Sequence, residues 1–312
     1  MQLIFFGSPD FALPTLMALI ASRHQVVGVV SQPDRPKGRG QRLTLPPIAA
    51  TARHHQLDLL QPRSVKSDDV LAWCRARNPD LFVVVAFGQI LPQPLLDLPH
   101  ICAINLHASL LPRYRGAAPI QRALVAGDTA TGLTTMVMSR KMDAGDILLQ
   151  QPVSIEPTDT AITLSHRLSN LGPALILRTI DQLESGTATR IAQDESAATY
   201  APLLHKEDGI VDWRLPAQQI VNLVRGLSPW PGALTELGGK PLKLIACHTR
   251  CGLDSARPGT ILATDRAIHI AAGVGVVAVT ELQPAGKRAM SAAAFCAGFH
   301  QPLIGQQMGP QA

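Results

Sequence analysis

The stretch that decides the fold is Leu81-Phe82-Val83-Val84-Val85-Ala86, an unbroken apolar run in the first third of the chain. A strand buried on both faces shows such a continuous pattern, whereas a strand with one face in water alternates. Similar short runs occupy residues 3–6, 25–30 and 101–105. We therefore expect these runs to be strands of one buried sheet.

Helical patterns separate these strands. Apolar residues recur at helical spacing over residues 11–21, 65–77 and 162–183, with a kink expected at Gly172-Pro173 in the last of them. Strands that alternate with helices predict a Rossmann-like, mainly parallel sheet covered on both faces. Such sheets bind ligands at the carboxyl ends of their strands, so we expect a site there.

The last third of the chain has a different pattern. Short β-type runs at residues 242–247, 267–271 and 275–282 follow a helical run at 217–227. Gly and Pro turns between such runs predict a small OB-like barrel of antiparallel strands. The expected divisions are a catalytic α/β domain at residues 1–189, a linker at 190–206 and a C-terminal β-barrel domain at 207–312.

The composition is that of a globular protein. Of 312 residues, 46% are hydrophobic and 16% charged, which excludes a disordered chain, and the net charge of +5 permits a nucleic-acid partner. The first residues lack a basic leader, and the apolar run near residues 81–91 is too short to cross a bilayer. Five cysteines without a CxxC pair favour free thiols. We expect a cytoplasmic protein with no membrane segment and no metal.

A basic segment follows the second predicted strand. Residues 32–42 contain Arg35, Lys37, Arg39 and Arg42 together with two glycines and two prolines. No regular element is expected there, because prolines remove backbone donors and glycines add conformational freedom. Composition leaves two interpretations open: a solvated surface loop, or a mobile arm whose cations contact phosphates.

The candidate chemistry lies at the end of a predicted strand. Asn105 and His107 are two residues apart, so in an extended chain their side chains point the same way. Such a pair suits attack on a carbonyl, because the amide and the imidazole can donate to the oxyanion and the imidazole can move a proton. An isolated Asn-x-His pair is more often structural, with the Asn capping a turn.

A downstream carboxylate can complete this group. Asp143 and Asp146 both lie in the turn Lys-Met-Asp-Ala-Gly-Asp, residues 141–146. A carboxylate beside an imidazole orients the ring and favours its protonated form. Either residue can instead close an Asx-turn, and composition does not distinguish which of them faces the cleft.

Several segments match a known family. The run Asn-x-His-x-Ser-Leu-Leu-Pro from Asn105, with Gly116 and the Met-Asp-Ala-Gly-Asp around Asp143, resembles the active-site pattern of the folate-dependent formyltransferases. Further similar segments lie at residues 6–11, 32–40, 115–121, 210–213, 228–231 and 282–290. The resemblance therefore extends over both predicted domains.

This resemblance implies a reaction and a set of site residues. It implies 10-formyltetrahydrofolate as formyl donor and the α-amine of methionine on initiator tRNA as acceptor, for translation initiation. It implies that Asn105, His107 and Asp143 are catalytic. The residues that it places against the folate are Phe87, Gly88, Gln89, Ile90, Leu91, Ser109, Leu110, Leu111 and Pro112.

For the tRNA, the basic segment and the C-terminal domain are the expected contacts. The cations concerned are Arg35, Lys37, Arg39, Arg42, Lys206, Lys287 and Arg288. A monomer is expected.

Two other enzyme classes and one binding class share part of this pattern. A formyltransferase acting on a sugar-nucleotide amine would use the same catalytic residues, and the basic segment favours tRNA over it. An RNA-binding protein on an inactive scaffold would not need Asn105, His107 and Asp143. A dinucleotide oxidoreductase is disfavoured because the turn at residues 7–10 is not GxGxxG.

Overall fold

The computed structural model describes residues 1–37, 42–250, 256–299 and 301–309. The chain divides into two compact units, each made of several segments. Unit 1 contains Met1–Pro119, Ala130–Ser154 and Ser165–Pro202, and unit 2 contains Ile120–Thr129, Ile155–Leu164 and Leu203–Ala312. Residues 190–202, part of the expected linker, lie within unit 1. The domain boundaries expected from the sequence stay a prediction.

The strands and helices of both units have the following bounds. The strands described along the chain are β1 Gln2–Gly7, β2 Gln25–Val30, β3 Arg35–Lys37, β4 Arg42–Thr44, β5 Leu59–Leu60, β6 Leu81–Val85, β7 Cys102–His107, β8 Ala130–Val137, β9 Ile147–Ser154, β10 Ala233–Leu237, β11 Lys240–Arg250, β12 Ile261–Thr264, β13 Ile268–Ala271, β14 Val276–Pro284 and β15 Met290–Ser291. The helices are α1 Leu13–Ile20, α2 Pro47–His54, α3 Asp68–Arg75, α4 Gln93–Leu96, α5 Pro119–Ala126, α6 Ala161–Glu184, α7 Ala217–Leu227 and α8 Ala292–Ala297. Short 3-10 helices span Asp10–Ala12, Glu195–Ala197 and Lys206–Gly209.

The sheet of unit 1 has the order β5-β2-β1-β6-β7-β8-β9. Neighbours from β5 to β7 are parallel, and β8 and β9 are antiparallel additions. Every residue of β6 is buried, as its continuous apolar run predicts. The prediction of a mainly parallel, Rossmann-like sheet is confirmed.

The chain turns sharply where β6 ends. Ala86 and Gly88 have φ angles of 47° and 81°, in the left-handed region that favours glycine. Val84 pairs with Asn105 on the neighbouring β7. Because β6 and β7 are parallel, this turn and the segment after β7 leave the sheet at the same edge.

The basic segment corrects one expectation. Residues 35–37 and 42–44 pair antiparallel as β3 and β4, with Pro36 opposite Leu43, so the prediction of no regular element was wrong there. In a two-stranded ribbon each strand is an edge, and alternate N–H groups point away from the partner, which makes room for a proline. Residues 38–41, which include Arg39, lie outside the described residues.

Unit 2 is built on an antiparallel sheet with the order β10-β11-β14-β13-β12, and β15 pairs with β14. Both edges are bridged by one short segment: Met308 pairs with Leu237 of β10, and Gln307 pairs with Thr260 beside β12. These bridges close the sheet, which confirms the predicted barrel. Across the described parts of the chain, no helix combines the length and apolar character needed to cross a membrane.

Candidate active site

Asn105 lies near the carboxyl end of β7, between Val84 of β6 and Met136 of β8. Its side chain is half-buried, and its amide makes no hydrogen bond with any residue that the structure describes. Buried amides are normally hydrogen-bonded to the protein or to water. The Asn105 amide is therefore available to an oxygen atom of a ligand.

His107 is 6% exposed and holds a fixed place at the end of β7. Its Nε2 lies 2.9 Å from the carbonyl oxygen of Tyr114, so Nε2 carries the proton and donates. Its Nδ1 lies 3.6 Å from Oδ2 of Asp143. Nε2 thus has a hydrogen-bond acceptor, and Nδ1 faces a carboxylate that can form an ion pair with a protonated imidazole.

Asp143 adopts the left-handed region, with φ 50°. Its Oδ2 accepts a hydrogen bond of 2.8 Å from the backbone N–H of Gly116, on the loop that follows β7. Asp146, in contrast, contributes a backbone carbonyl that accepts from Val137 N–H at 2.9 Å. Within the part of the chain that the structure describes, Asp143 is thus the carboxylate of this turn that lies beside His107.

A segment that we call the strap, residues 191–201, joins the two loops of the site. Ile191 exchanges backbone hydrogen bonds of 2.8 and 2.9 Å with Ile147, at the start of β9. Further along, Thr199 O accepts from Arg115 N–H at 2.8 Å, and Ala201 N–H donates to Arg115 O at 2.7 Å. The strap therefore contacts both the Asp143 turn and the loop after β7.

The sequence does not predict a role for three side chains at this junction, those of Arg115, Gln193 and Glu195. Arg115 is 1% exposed and donates from Nε and Nη2 to Gln193 Oε1, at 3.0 and 2.9 Å. Its Nη2 also lies 2.9 Å from Glu195 Oε1, and Glu195 binds Lys141 Nζ at 2.5 Å. The one signal in the sequence was Arg115 itself, which stands in a segment that resembles the family.

The ion pairs of Glu195 predict how stability depends on pH. Hydrogen bonds from Arg115, and then from Lys141, lower the pKa of Glu195 from its ordinary 4.5 to about 2. Because the folded-state pKa is depressed, the stabilisation is complete above pH 4.5 and is lost as the pH falls towards 2. We expect Glu195→Gln to weaken this dependence, when urea unfolding of both proteins is compared from pH 7 to 2.

The expected effect is small, since 55% of the Glu195 side chain is exposed and water screens the pair. The difference in unfolding free energy between the two proteins should be constant above pH 5 and shrink below pH 4.5. Parallel curves down to pH 2 would show that the pairs contribute nothing to folding.

The first segment expected to bind folate presents mainly its backbone. Phe87 and Leu91 are each 2% exposed and pack in the core of unit 1. Gln89 Oε1 accepts from Val65 N–H at 3.0 Å. Gly88 and Ile90 are exposed, with Ile90 at 62%. Folate contacts by this segment stay a prediction, and their side-chain part falls on Ile90.

The second expected folate segment is also held from behind. Ser109 is fully buried and its Oγ donates to Arg113 O at 2.6 Å, while Leu111 is 3% exposed and packs against Met136 and Ile147. Leu110 and Pro112 are half-buried. A ligand on this segment would therefore meet backbone groups and the edges of these two side chains.

The predicted tRNA contacts lie on both units. Arg35 is exposed and its Nη2 donates to Gln32 Oε1 at 2.9 Å, while Gln32 Nε2 donates to Phe87 O at 3.2 Å. The start of the basic segment thus contacts Phe87, in the segment 87–91 that is expected to bind folate. The backbones of Lys37 and Arg42 pair across the β3–β4 ribbon. The predicted contacts in unit 2 are all exposed: Lys206, Lys287 and Arg288.

Two family descriptions match parts of this chain. The family described as formyl transferase matches residues 1–180, and the formyl transferase C-terminal domain matches residues 203–300. The chain belongs to the formyl transferase family. Both halves of the family's domain pair are present, as the sequence resemblance predicts.

Curated relatives extend the match over nearly the whole chain. The methionyl-tRNA formyltransferase of Geobacter metallireducens is 51% identical over 301 residues, which cover 96% of each chain. That of Trichlorobacter lovleyi is 47% identical over 310 residues, covering 99% of this chain and 97% of the relative. The family resemblance stated from the sequence is confirmed.

Solved structures share the fold at low identity. HypX from Aquifex aeolicus, in complex with tetrahydrofolic acid, has a TM-score of 0.64 at 18% identity, covering 97% of this chain and 48% of HypX. The sugar 3N-formyl transferase WlaRD, in the presence of dTDP and 5-N-formyl-THF, has a TM-score of 0.67 at 15% identity, covering 92% of this chain and 99% of WlaRD. At these identities the likeness concerns the fold alone.

Proposed function

We propose that this enzyme transfers a formyl group from 10-formyltetrahydrofolate to the α-amine of methionyl-initiator tRNA. The observation that carries the proposal is the available amide of Asn105 beside the His107–Asp143 pair, at the carboxyl edge of the sheet. Relatives named methionyl-tRNA formyltransferase support the acceptor, and the complexes of HypX and WlaRD with folates support the donor class.

In the mechanism, the acceptor amine attacks the formyl carbon and a tetrahedral oxyanion forms. The Asn105 amide donates to this oxyanion. His107 Nε2–H, which donates to the Tyr114 carbonyl in the free enzyme, donates to the oxyanion instead. Asp143 holds His107 and helps to carry away the proton that the amine loses, through a water. Cleavage of the bond to N10, which takes up a proton, releases tetrahydrofolate and the formylated amine.

The tRNA is proposed to bind along cations of both units, in the cytoplasm and on a monomeric enzyme. Arg35, Lys37, Arg39 and Arg42 would contact its acceptor end. Lys206, Lys287 and Arg288 are exposed and would contact phosphates farther along the backbone. A flat pterin, in turn, suits the apolar wall at Ile90.

Salt should weaken tRNA binding steeply. Each phosphate contact contributes a log–log slope of about −0.9 on duplex nucleic acid. Replacing Lys206, Lys287 and Arg288 together by alanine should therefore make the plot of log affinity against log salt concentration less steep, by roughly 2 to 3 in slope. Titration of labelled tRNA from low to high salt measures this, and folate binding should change far less.

Arg214→Ala is the matched control, because Arg214 is an exposed cation of unit 2 already paired with Asp212 at 2.8 Å. Its loss should leave the slope unchanged. A tRNA affinity independent of salt would count against all the proposed cations as phosphate contacts.

The identity of the acceptor can be tested directly. The enzyme is incubated with 10-formyltetrahydrofolate and either methionyl-initiator tRNA or an amino-sugar nucleotide, and formylation of each is followed. Formylation of the tRNA alone is the expected result, and His107→Ala serves as the inactive control. Formylation of the sugar nucleotide alone, or of neither acceptor, would overturn the proposed acceptor.

A further inference from the structure

Gln193 of the strap uses its whole hydrogen-bonding capacity within unit 1. Its Nε2 donates to the backbone carbonyls of Asp143 and Gly145, at 2.9 and 2.8 Å. Its Oε1 accepts both hydrogen bonds from Arg115. These bonds also settle which end of the amide is nitrogen, because only an N–H can face two carbonyls.

The turn that Gln193 binds is strained and tightly packed. Asp143 has φ 50°, in the left-handed region that non-glycine residues adopt uncommonly, although Asp tolerates it better than most. Gly145 packs so closely that a Cβ on it would collide with Val137 O. Of the other residues of the turn, Lys141 and Met142 are exposed, so their side chains offer little packing to hold this shape.

Arg115 gives Gln193 a fixed support. Its side chain is 1% exposed, and its backbone is paired on both sides with Thr199 and Ala201 of the strap. Two guanidinium N–H groups converge on Gln193 Oε1 and fix the position of this oxygen. The Nε2 bonds then fix the orientation of the amide. The line of contacts thus runs from a buried arginine through Gln193 to the backbone of Asp143.

We propose that Gln193, held by Arg115, is a positioning residue for formyl transfer, an inference that rests on the proposed function. By fixing the backbone of Asp143 and Gly145, it keeps the Asp143 carboxylate between His107 Nδ1 and the Gly116 N–H. Gln193 does not touch the reacting atoms in this proposal. It acts through the direction in which Asp143 points.

The test uses Gln193→Glu in the full-length enzyme. The carboxylate keeps the size of the side chain and its pairing with Arg115, but it places an oxygen opposite the carbonyls of Asp143 and Gly145. The Gly116 amide should then exchange with solvent about tenfold faster or more, since its acceptor moves away. Glu195→Gln is the matched control, because it changes the other partner of Arg115 and leaves both carbonyl contacts intact.

The kinetic readout separates positioning from folding. We expect kcat per folded enzyme to fall by about 10- to 100-fold in Gln193→Glu, with the KM for the acceptor nearly unchanged. Glu195→Gln should change kcat by less than about twofold. Adding Gln193→Glu to Asp143→Ala should not accelerate Gly116 exchange further, because the two changes break the same contact.

Gln193→Ala, which removes the amide without adding a charge, is the second variant if the glutamate prevents folding. Unchanged Gly116 exchange in a folded Gln193 variant overturns the proposal, as does faster exchange with an unchanged kcat. If the wild-type enzyme does not formylate methionyl-initiator tRNA, the proposed acceptor fails. The exchange data and turnover on the acceptor that is formylated then still decide the role of Gln193.

Discussion

Replacing Asn105 by alanine is expected to slow formyl transfer by about 10²–10³-fold, the usual cost of one lost oxyanion donor. The amide of Asn105 has no partner among the described residues, so its loss removes no internal hydrogen bond. The melting temperature should therefore stay close to that of the wild type. Single-turnover kinetics with saturating donor and acceptor measure the effect on the chemical step.

Two further variants make this result specific. Asn105→Asp keeps the shape of the side chain but cannot donate when ionised, so it should be as slow as the alanine variant. Asn170→Ala is the control, because Asn170 is exposed on α6 and its amide hydrogen-bonds only to His166 among the described residues. Near-normal turnover of a folded Asn105→Ala enzyme would remove Asn105 from the mechanism.

Replacing Asp143 by asparagine should lower kcat by about 10²–10⁴-fold, the range for a group that supports proton transfer. Asparagine tolerates the left-handed φ of this position and can still accept from Gly116 N–H. The substitution therefore removes the charge that faces His107 at 3.6 Å and keeps the local backbone. A loss of kcat without a loss of stability is the expected result.

Asp146→Asn is the matched control for this substitution. It removes an identical charge three residues away in the same turn, at a position whose described hydrogen bond is made by the backbone carbonyl. We expect its kcat to stay within about twofold of wild type. Equal losses of kcat in the two variants would show that the total negative charge of the turn matters, and that a specific contact between Asp143 and His107 does not.

The sheet and the position of Asn105 and His107 were predictable because they follow from local periodicity. A continuous apolar run predicts a doubly buried strand, and β6 at Leu81–Val85 is one. Alternation along β7 places Asn105 and His107 on one face of it. Helix α7 at Ala217–Leu227 likewise lies where the helical run was predicted.

Pairings between segments of the chain carried no such signal. The β3–β4 ribbon forms although Pro36 disfavours a strand, because pairing across the ribbon outweighs local propensity. Arg115 and Gln193 are 78 residues apart, and no period links them. Their hydrogen bonds depend on how the strap returns to the sheet, which only the folded chain defines.

The choice between the two carboxylates of the 141–146 turn shows the same division most clearly. The sequence by itself determined that a turn with Asp143 and Asp146 precedes β9, and that Asn105 and His107 end β7. Composition left Asp143 and Asp146 equivalent, and the family resemblance implied Asp143. Only the tertiary structure shows the Asp143 carboxylate at 3.6 Å from His107 Nδ1. The reason is physical: a side chain's direction within a turn depends on φ, and the φ of Asp143 lies in a region that an aspartate adopts when contacts from elsewhere in the fold hold it there.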